Sequence, residues 1–223
     1  MKICAISDLH GYLPNNIEKS NLLLIAGDLI PLDIQSSYSL SEEWFKVDFN
    51  NWVDSLNVDK VVLVGGNHDG FIDDKGFLFR DILSSKCVYL EDELYEYNGI
   101  KIYGTPWCHQ FGDWWFMDKD NNLARKFEKI PENVDILLCH DAPYGACDLL
   151  LQDVRWNTHE HIGGKILRNA ILEKKPSKVI VGHLHSCNHN WEQLGDSLVR
   201  NVSLKDEHYK VVYEPTYFEL STY

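Results

Sequence analysis

Five short apolar runs in this chain each end on residues with nitrogen or oxygen donors. After "KICAIS" come Asp8 and His10, and after "LLLIA" come Gly27 and Asp28. After "VVLVG" come Gly66, Asn67, His68 and Asp69. "ILLC" is followed by His140, and "KVIV" by Gly182, His183 and His185. One such ending has an ordinary explanation. Gly66-Asn67 suits a turn, and His68 and Asp69 could be solvated loop residues. Five endings of the same kind are not explained that way, because the C-terminal edge of an open α/β sheet is where ligands bind.

The donor types point to metal chemistry. Asp8 and His10 lie two residues apart, as do His183 and His185. On an extended segment that spacing puts both side chains on one face. Asn67 offers a neutral carbonyl oxygen where another carboxylate would overcharge a site. Imidazoles mixed with carboxylates suit Mn, Fe, Zn or Co rather than Ca alone. The donors are too many for one metal with open positions and about right for two that share a carboxylate. Two metals roughly 3.5–4 Å apart activate water and clamp both ends of an in-line phosphoryl displacement.

The elements that position these residues can be read from the pattern. Lys2 to Ser7, Asn21 to Gly27 and Lys60 to Gly66 read as buried strands. Ser41 to Leu56 is expected to be a helix, with Ser41 as its cap and Glu42 and Glu43 in its first turn. Trp44, Phe45, Phe49, Trp52, Val53 and Leu56 give it an apolar stripe. This β–α–β order implies a parallel sheet covered by helices. "ELYEYNGIKIYG" is a hairpin turning at Asn98-Gly99. Helices are expected over Asp118 to Lys129 and Gly164 to Lys174, and strands in "VDILLCHDAP", ending before Pro143, and in "SKVIVGHLH". The tail reads as a hairpin around Leu194-Gly195-Asp196, then a strand in "YKVVYE". Together these predict an α/β fold, one domain over residues 1–223, with two mixed sheets packed face to face and helices outside. The loops Pro31 to Ser39 and Ala142 to Ile162 are long enough to form a substrate rim.

Composition narrows the partners. The formal net charge of the 223 residues is -13, which disfavours phosphate-led binding of duplex nucleic acid. The 6 cysteines form no C-x-x-C pair, and Cys4 and Cys139 fall inside apolar runs. Free thiols in a reducing, cytoplasmic setting are expected. No run approaches the roughly 20 apolar residues of a membrane span, so no membrane partner is expected.

The five blocks resemble those of the calcineurin-like metallophosphoesterase superfamily: D-x-H, G-D, G-N-H-[DE], a His after a buried strand, and G-H-x-H, in that order. "YGTPW", "FGDWW", "HDAPYG" and "GHLH" are similar to the small metallophosphoesterase-domain, cyclic-nucleotide-type branch. The resemblance implies a four-layer α/β/β/α fold. It implies one metal held by Asp8, His10, Asp28 and His185, and a second by Asp28, Asn67, His140 and His183. Asp28 would bridge, a hydroxide between the metals would attack, and Mn is the favoured ion. His68 would stay unligated, contact the phosphate and protonate the leaving oxygen, with Asn67 also facing substrate. The implied substrate is a small phosphoester, a cyclic nucleotide or aryl phosphodiester. Asp69 is expected to brace its loop through backbone hydrogen bonds.

Other residues carry weaker signals. Trp107, just past "GTP", is expected to line the pocket and stack on a base or aryl group. Phe111, Trp114, Trp115 and Phe116 read mostly as core. His159 and His161 read as capping or surface residues, with a rim role open to His161. His109, His189 and His208 have no supporting spacing, and Arg155 reads as solvated. "DLHG" is similar to protein Ser/Thr phosphatases, but "GDLIPLD" lacks their G-D-x-x-D-R-G pattern. A nuclease is disfavoured by the acidic balance. A non-enzymatic scaffold on this fold would be expected to lose His68, which is present. The oligomeric state is left open.

Overall fold

Strand residues of alternating parity face opposite ways, and here both faces are apolar. That pattern calls for a sheet covered on both sides. The computed structural model describes residues 1–150 and 160–221. The first half runs β1 (Lys2–Ile6), β2 (Ser20–Ala26), α1 (Tyr38–Trp44), a π-helical turn (Phe45–Phe49), α2 (Asn50–Ser55), β3 (Val58–Val64), α3 (Gly70–Ile82) and β4 (Cys87–Tyr89). Next come β5 (Glu93–Tyr97), β6 (Ile100–Thr105), β7 (Cys108–His109), β8 (Met117–Asp118), α4 (Asp120–Phe127) and β9 (Ile136–Cys139). The chain continues through α5 (Lys165–Lys174), β10 (Lys178–Val181), β11 (Glu192–Leu194), β12 (Ser197–Asn201) and β13 (Thr216–Glu219).

Two mixed sheets result, of order β13-β1-β2-β3-β4 and β11-β12-β10-β9-β6-β5. Ile3, Ala5, Leu22, Leu24, Val62 and Val64 of the first meet Ile102, Ile136, Leu138 and Ile180 of the second. The alternate residues turn outward. Cys4, Ile6, Leu23, Ile25, Val61 and Leu63 pack under Phe45, Phe49, Trp52, Phe71 and Phe79 of the helices. Tyr103, Leu137, Cys139, Val179 and Val181 pack under Leu123 and Phe127 of α4 and Leu167 and Ile171 of α5. The layers are therefore α/β/β/α, as expected. β1, β2, β3 and β4 are mutually parallel, as are β6, β9, β10 and β12. Their C-terminal ends gather at one edge of the sandwich.

Several expectations need correction. The first helical segment starts at Tyr38, after Ser37, and Ser41 is a buried residue inside it. The turn Pro31 to Ser37 already winds the chain, with Ser37 N–H donating to Ile34 O at 2.8 Å, so no cap is needed at Ser41. α3 has no clear sequence signature, because Gly70 and Gly76 break its pattern; the helix kinks at Lys75, whose backbone is non-helical. "YKVVYE" is not a strand: Val211 and Val212 are exposed, and the final strand is β13, which pairs antiparallel with the open edge of β1. α4 is shorter than expected because Asp118 is used by β8, paired to β7. The Asn98-Gly99 turn has positive φ at both residues (49° and 83°), as a tight hairpin requires. Among the described residues, no helix is long and apolar enough to cross a membrane.

Candidate metal centre

The donors that follow β1, β2, β3, β9 and β10 converge at that common edge. Extended backbone is not what aims them. Asp8, His10, Asp28 and His183 all have left-handed backbone, with φ between 40° and 66°. Each costs roughly 1–2 kcal/mol relative to ordinary backbone. Short polar residues tolerate it best, and such strain gathers at functional sites. "GHLH" is likewise a turn: β10 ends at Val181.

The tight approach also explains two glycines. A Cβ on Gly66 would meet Asp28 Oδ1 at 2.4 Å, and one on Gly182 would meet Asp8 Oδ2 at 2.5 Å. Gly65 and Gly66 thus serve close approach, with no positive φ.

The imidazoles are held in defined orientations. His140 Nδ1–H donates to Ala26 O at 2.7 Å, which aims Nε2 at Asn67 Oδ1 (3.0 Å) and Asp28 Oδ2 (3.4 Å). His185 Nδ1–H donates to Asp206 O at 2.9 Å, leaving Nε2 3.0 Å from Asp8 Oδ1. His10 Nε2 lies 3.6 Å from Asp28 Oδ2. Backbone carbonyls that fix the Nδ1–H tautomer are the usual support of metal-binding histidines. His183 N–H donates to Asp8, tying the last strand's donor to the first strand's.

The donor atoms of Asp8, His10 and His185 lie within 4.8 Å of one another, as do those of Asp8, Asp28 and His140. Cys108, which the sequence did not flag, forms a third such group with His140 and His183. Both ring nitrogens of His10 are buried without a hydrogen-bond partner. An orphaned buried imidazole beside ionised carboxylates fits a cation, so the residues present suit metals.

The electrostatics agree. Burial presses the Asp8 and Asp28 carboxyls up, but the neighbouring charges of His185 and His140 prevail and hold both below the usual range. Burial lowers His10 and His183 to about 4, so both rings are neutral donors at pH 7. Burial also works against His140, yet the Asp28 charge raises it to about 10. A metal there must displace that proton.

The centre opens into a cleft of about 380 Å³ lined by Asp28, Asn67, His68, His183 and His185. His68 has no place in the buried donor groups. Its backbone N–H donates to Asp28 Oδ1 at 2.8 Å, and its Nδ1 lies 2.6 Å from Gln35 Oε1. The amide oxygen accepts from Nδ1–H, which turns Nε2 away from Gln35. Gln35 comes from the loop expected to be a rim. Phe111 and Trp114 form the cleft's aromatic walls, the first 5.1 Å from the His183 ring and the second 4.7 Å from the His68 ring. Tyr209 closes another side, 5.0 Å from His10.

Trp107 is placed elsewhere. Its Nε1–H donates to Asp92 at 3.2 Å, Lys126 sits over its face, and it packs on Phe116. The indole is therefore engaged by Asp92, Lys126 and Phe116 and is not among the residues lining the cleft. His189 stacks on Tyr213, and His208 is exposed. Arg155 and His159 lie outside the described residues.

Asp69 braces the loop. Its carboxylate accepts from Leu29 N–H (2.9 Å), Ile30 N–H (3.0 Å) and Gly66 N–H (2.9 Å), linking the β2 and β3 termini. Burial and the Asp28 charge press its pKa up to about 7, against those donors. Asp69→Ala strands three buried N–H groups. It is expected to cost about 3–5 kcal/mol, the scale for breaking a buried charged network. Urea denaturation measures it; a loss below about 1 kcal/mol would mean the loop holds itself.

Carboxylate, amide and histidine donors at five strand ends of an α/β/β/α sandwich, four of them on left-handed backbone, define a metal-dependent phosphoesterase architecture. The chain belongs to the calcineurin-like phosphoesterase family, whose model matches residues 1–187. It is 29% identical over 191 residues to UPF0046 protein C25E10.12 of Caenorhabditis elegans, covering 78% of this chain and 66% of that protein. It is 25% identical over 246 residues to metallophosphoesterase domain-containing protein 1 of Homo sapiens, covering 99% of this chain and 71% of that protein. A further nematode relative, UPF0046 protein T07D4.2, is 27% identical over 236 residues, which are 92% of this chain and 56% of that protein. The chain thus spans between 56% and 71% of the length of these relatives. Among solved structures, TT1561 of Thermus thermophilus superposes with a TM-score of 0.59 at 14% identity, over 92% of this chain and 89% of that one. Purple acid phosphatase PPD1 from yellow lupin gives 0.52 at 12% identity, over 91% and 43%. At these identities the likeness is one of fold. Family membership supports a metal-dependent hydrolase of phosphoesters.

Proposed function

We propose that this chain is a two-metal phosphodiesterase for small diesters that carry an aromatic group, such as cyclic nucleotides or aryl phosphodiesters. Asp8, His10, Asp28 and His185 would hold one metal, and Asp28, Asn67, His140 and His183 the other, with Mn favoured over Fe, Zn and Co. When bound, the metals supply Lewis acidity and an activated water, and neutralise phosphate charge. The chain's own part is to bind, orient and move a proton. With Nδ1–H given to Gln35, His68 acts as an imidazolium: a second proton, at Nε2, is the one it would deliver to the departing oxygen, leaving the neutral ring. Phe111 and Trp114 orient the aromatic group.

The observation that carries the substrate class is that these two exposed rings stand in the same cleft as the donors. Stacking is worth about 1–3 kcal/mol per base, and one phosphate is all the charge the centre must neutralise. The acidic surface disfavours long polyanions.

The test is turnover by Mn²⁺-loaded protein of bis(p-nitrophenyl) phosphate, 2′,3′- and 3′,5′-cyclic nucleotides, p-nitrophenyl phosphate and duplex DNA. Diesters are expected to outrun the monoester, with little cleavage of DNA. Trp114→Ala is expected to raise KM for aryl diesters roughly tenfold with little change in kcat. A glycerophosphodiester should not feel the change. Activity confined to monoesters, or efficient cleavage of duplex DNA, would overturn the reading.

A further inference from the structure

We infer that the turn over residues 205–210 positions the two histidines of one proposed metal, the first, held by Asp8, His10, Asp28 and His185, and none of the donors peculiar to the second. Asp206 is the positioning residue, and it sets the affinity of the first metal independently of the other. The inference rests on the two-metal reading and deepens it. The turn follows β12 and lies beyond residues 1–187, the span that the family model matches. All five donor-bearing strand ends fall inside that span.

The turn reaches His10 and His185 in three ways. The Asp206 carbonyl accepts from His185 Nδ1–H at 2.9 Å. Buried Lys205 donates from Nζ to His10 O at 3.2 Å, where the His10 backbone is left-handed. The Tyr209 ring stands edge-on to both imidazoles, 5.0 Å from His10 at 84° and 5.5 Å from His185 at 87°. The Asp206 carbonyl also takes Tyr209 N–H at 2.9 Å, so one acceptor fixes the His185 tautomer and places the ring beside it. Tyr209 is itself left-handed, with φ 59°, which a bulky residue keeps only where its surroundings impose it. The Asp206 side chain supplies that constraint. Its Oδ1 accepts from Lys210 N–H and His208 N–H, both at 2.9 Å, and Asp206 N–H donates to Lys210 O at 2.9 Å. The Lys210 and His208 donors hold its carboxyl below the usual range.

The donors peculiar to the second metal are held from elsewhere. His140 is aimed by Ala26 O, Asn67 Oδ1 lies 3.0 Å from His140 Nε2, and the His183 ring packs on Phe111. Among the described residues, no hydrogen bond joins residues 205–210 to Asn67, His140 or His183. Removing the support of a metal-binding histidine costs about 10–100-fold in metal affinity. Here that cost falls on one site. Lys205 is a poor probe of the effect, because its ammonium also repels a cation. Asp206 is only partly buried and closes the turn without its side chain touching a proposed ligand.

The experiment replaces Asp206 and counts Mn²⁺ by elemental analysis after gel filtration. The unaltered protein is expected to keep two ions and Asp206→Ala one. Asp206→Asn should keep two, because its amide oxygen still accepts from both N–H groups. Calorimetric titration of metal-free protein with Mn²⁺ identifies the weakened site. In an Asn67→Ala background, which leaves the first site, Asp206→Ala should weaken binding about tenfold or more. In a His10→Ala background, which leaves the second, it should change nothing. Tyr209→Ala keeps the hydrogen bonds of the turn and should also weaken the first site alone, with Tyr209→Phe restoring it; this pair keeps the test valid if Asp206→Ala folds poorly. Two ions kept by Asp206→Ala, or equal weakening in both backgrounds, would overturn the inference. Fewer than two ions in the unaltered protein would overturn the two-metal reading, and this inference with it.

Discussion

Asp28→Ala is expected to abolish phosphoester hydrolysis and metal retention together. The geometry gives Asp28 this weight. Its Oδ2 faces His10 Nε2 at 3.6 Å on one side and His140 Nε2 at 3.4 Å on the other. Its Oδ1 takes the His68 backbone N–H at 2.8 Å. One carboxylate therefore borders both proposed metals and sets the loop that carries His68. A Lewis acid is worth several kcal/mol of charge stabilisation, and 1.36 kcal/mol is tenfold in rate. A loss of about 10³–10⁴-fold is expected. Metal bound after gel filtration, measured by elemental analysis, should fall from two ions per chain to fewer than one. Ions that bind only the native state raise its stability, by about 2.7 kcal/mol at a hundredfold excess over Kd. A chelator should therefore lower the Tm of the unaltered protein and leave that of Asp28→Ala nearly unchanged. Two ions retained by the variant would show that Asp28 does not bridge.

The residues that approach the centre from strand ends were legible in the sequence, and those that approach from loops were not. Asp8, Asp28, Asn67, His140 and His183 follow runs whose residues are buried on both faces, so their strands have no other place to go. Parallel pairing then puts those ends at one edge. Gln35, Tyr209 and Lys205 lie on irregular backbone with no period to read. Yet Gln35 holds His68, Tyr209 faces His10, and Lys205 Nζ donates to His10 O at 3.2 Å. The left-handed turns were hidden because Asp and His, unlike Gly, do not advertise positive φ. Trp107 shows the limit of reading an aromatic by its neighbours: a partner at Asp92 and a cation at Lys126 anchor it away from the cleft. Phe111 and Trp114, read as core, are the exposed pair. His109 had no supporting spacing and His161 read as a capping or surface residue with a rim role open; their buried partners Asp141 and Asp148 are not sequence neighbours, so only the fold could pair them.

His68→Ala is expected to keep both metals and to lose turnover. The imidazole lies outside the buried donor groups and lines the cleft, 5.1 Å from the His10 ring and 4.7 Å from Trp114. With Nδ1–H given to Gln35, the opposite nitrogen is the one left to serve the proposed substrate. General-acid assistance is worth about 10²–10⁴-fold, and its size depends on the leaving group. An alkoxide needs its proton, so cyclic nucleotides should lose rate over that full range. Nitrophenolate departs without one, so bis(p-nitrophenyl) phosphate should lose far less. Gln35→Ala removes one hydrogen bond worth about 1 kcal/mol, which predicts roughly a fivefold loss with the same dependence on leaving group. Two results would separate the alternatives. Equal losses on both substrates would leave His68 only the task of positioning phosphate. A missing ion in the variant would make it a ligand, and the division of labour between the five strand ends and the cleft would then have to be redrawn.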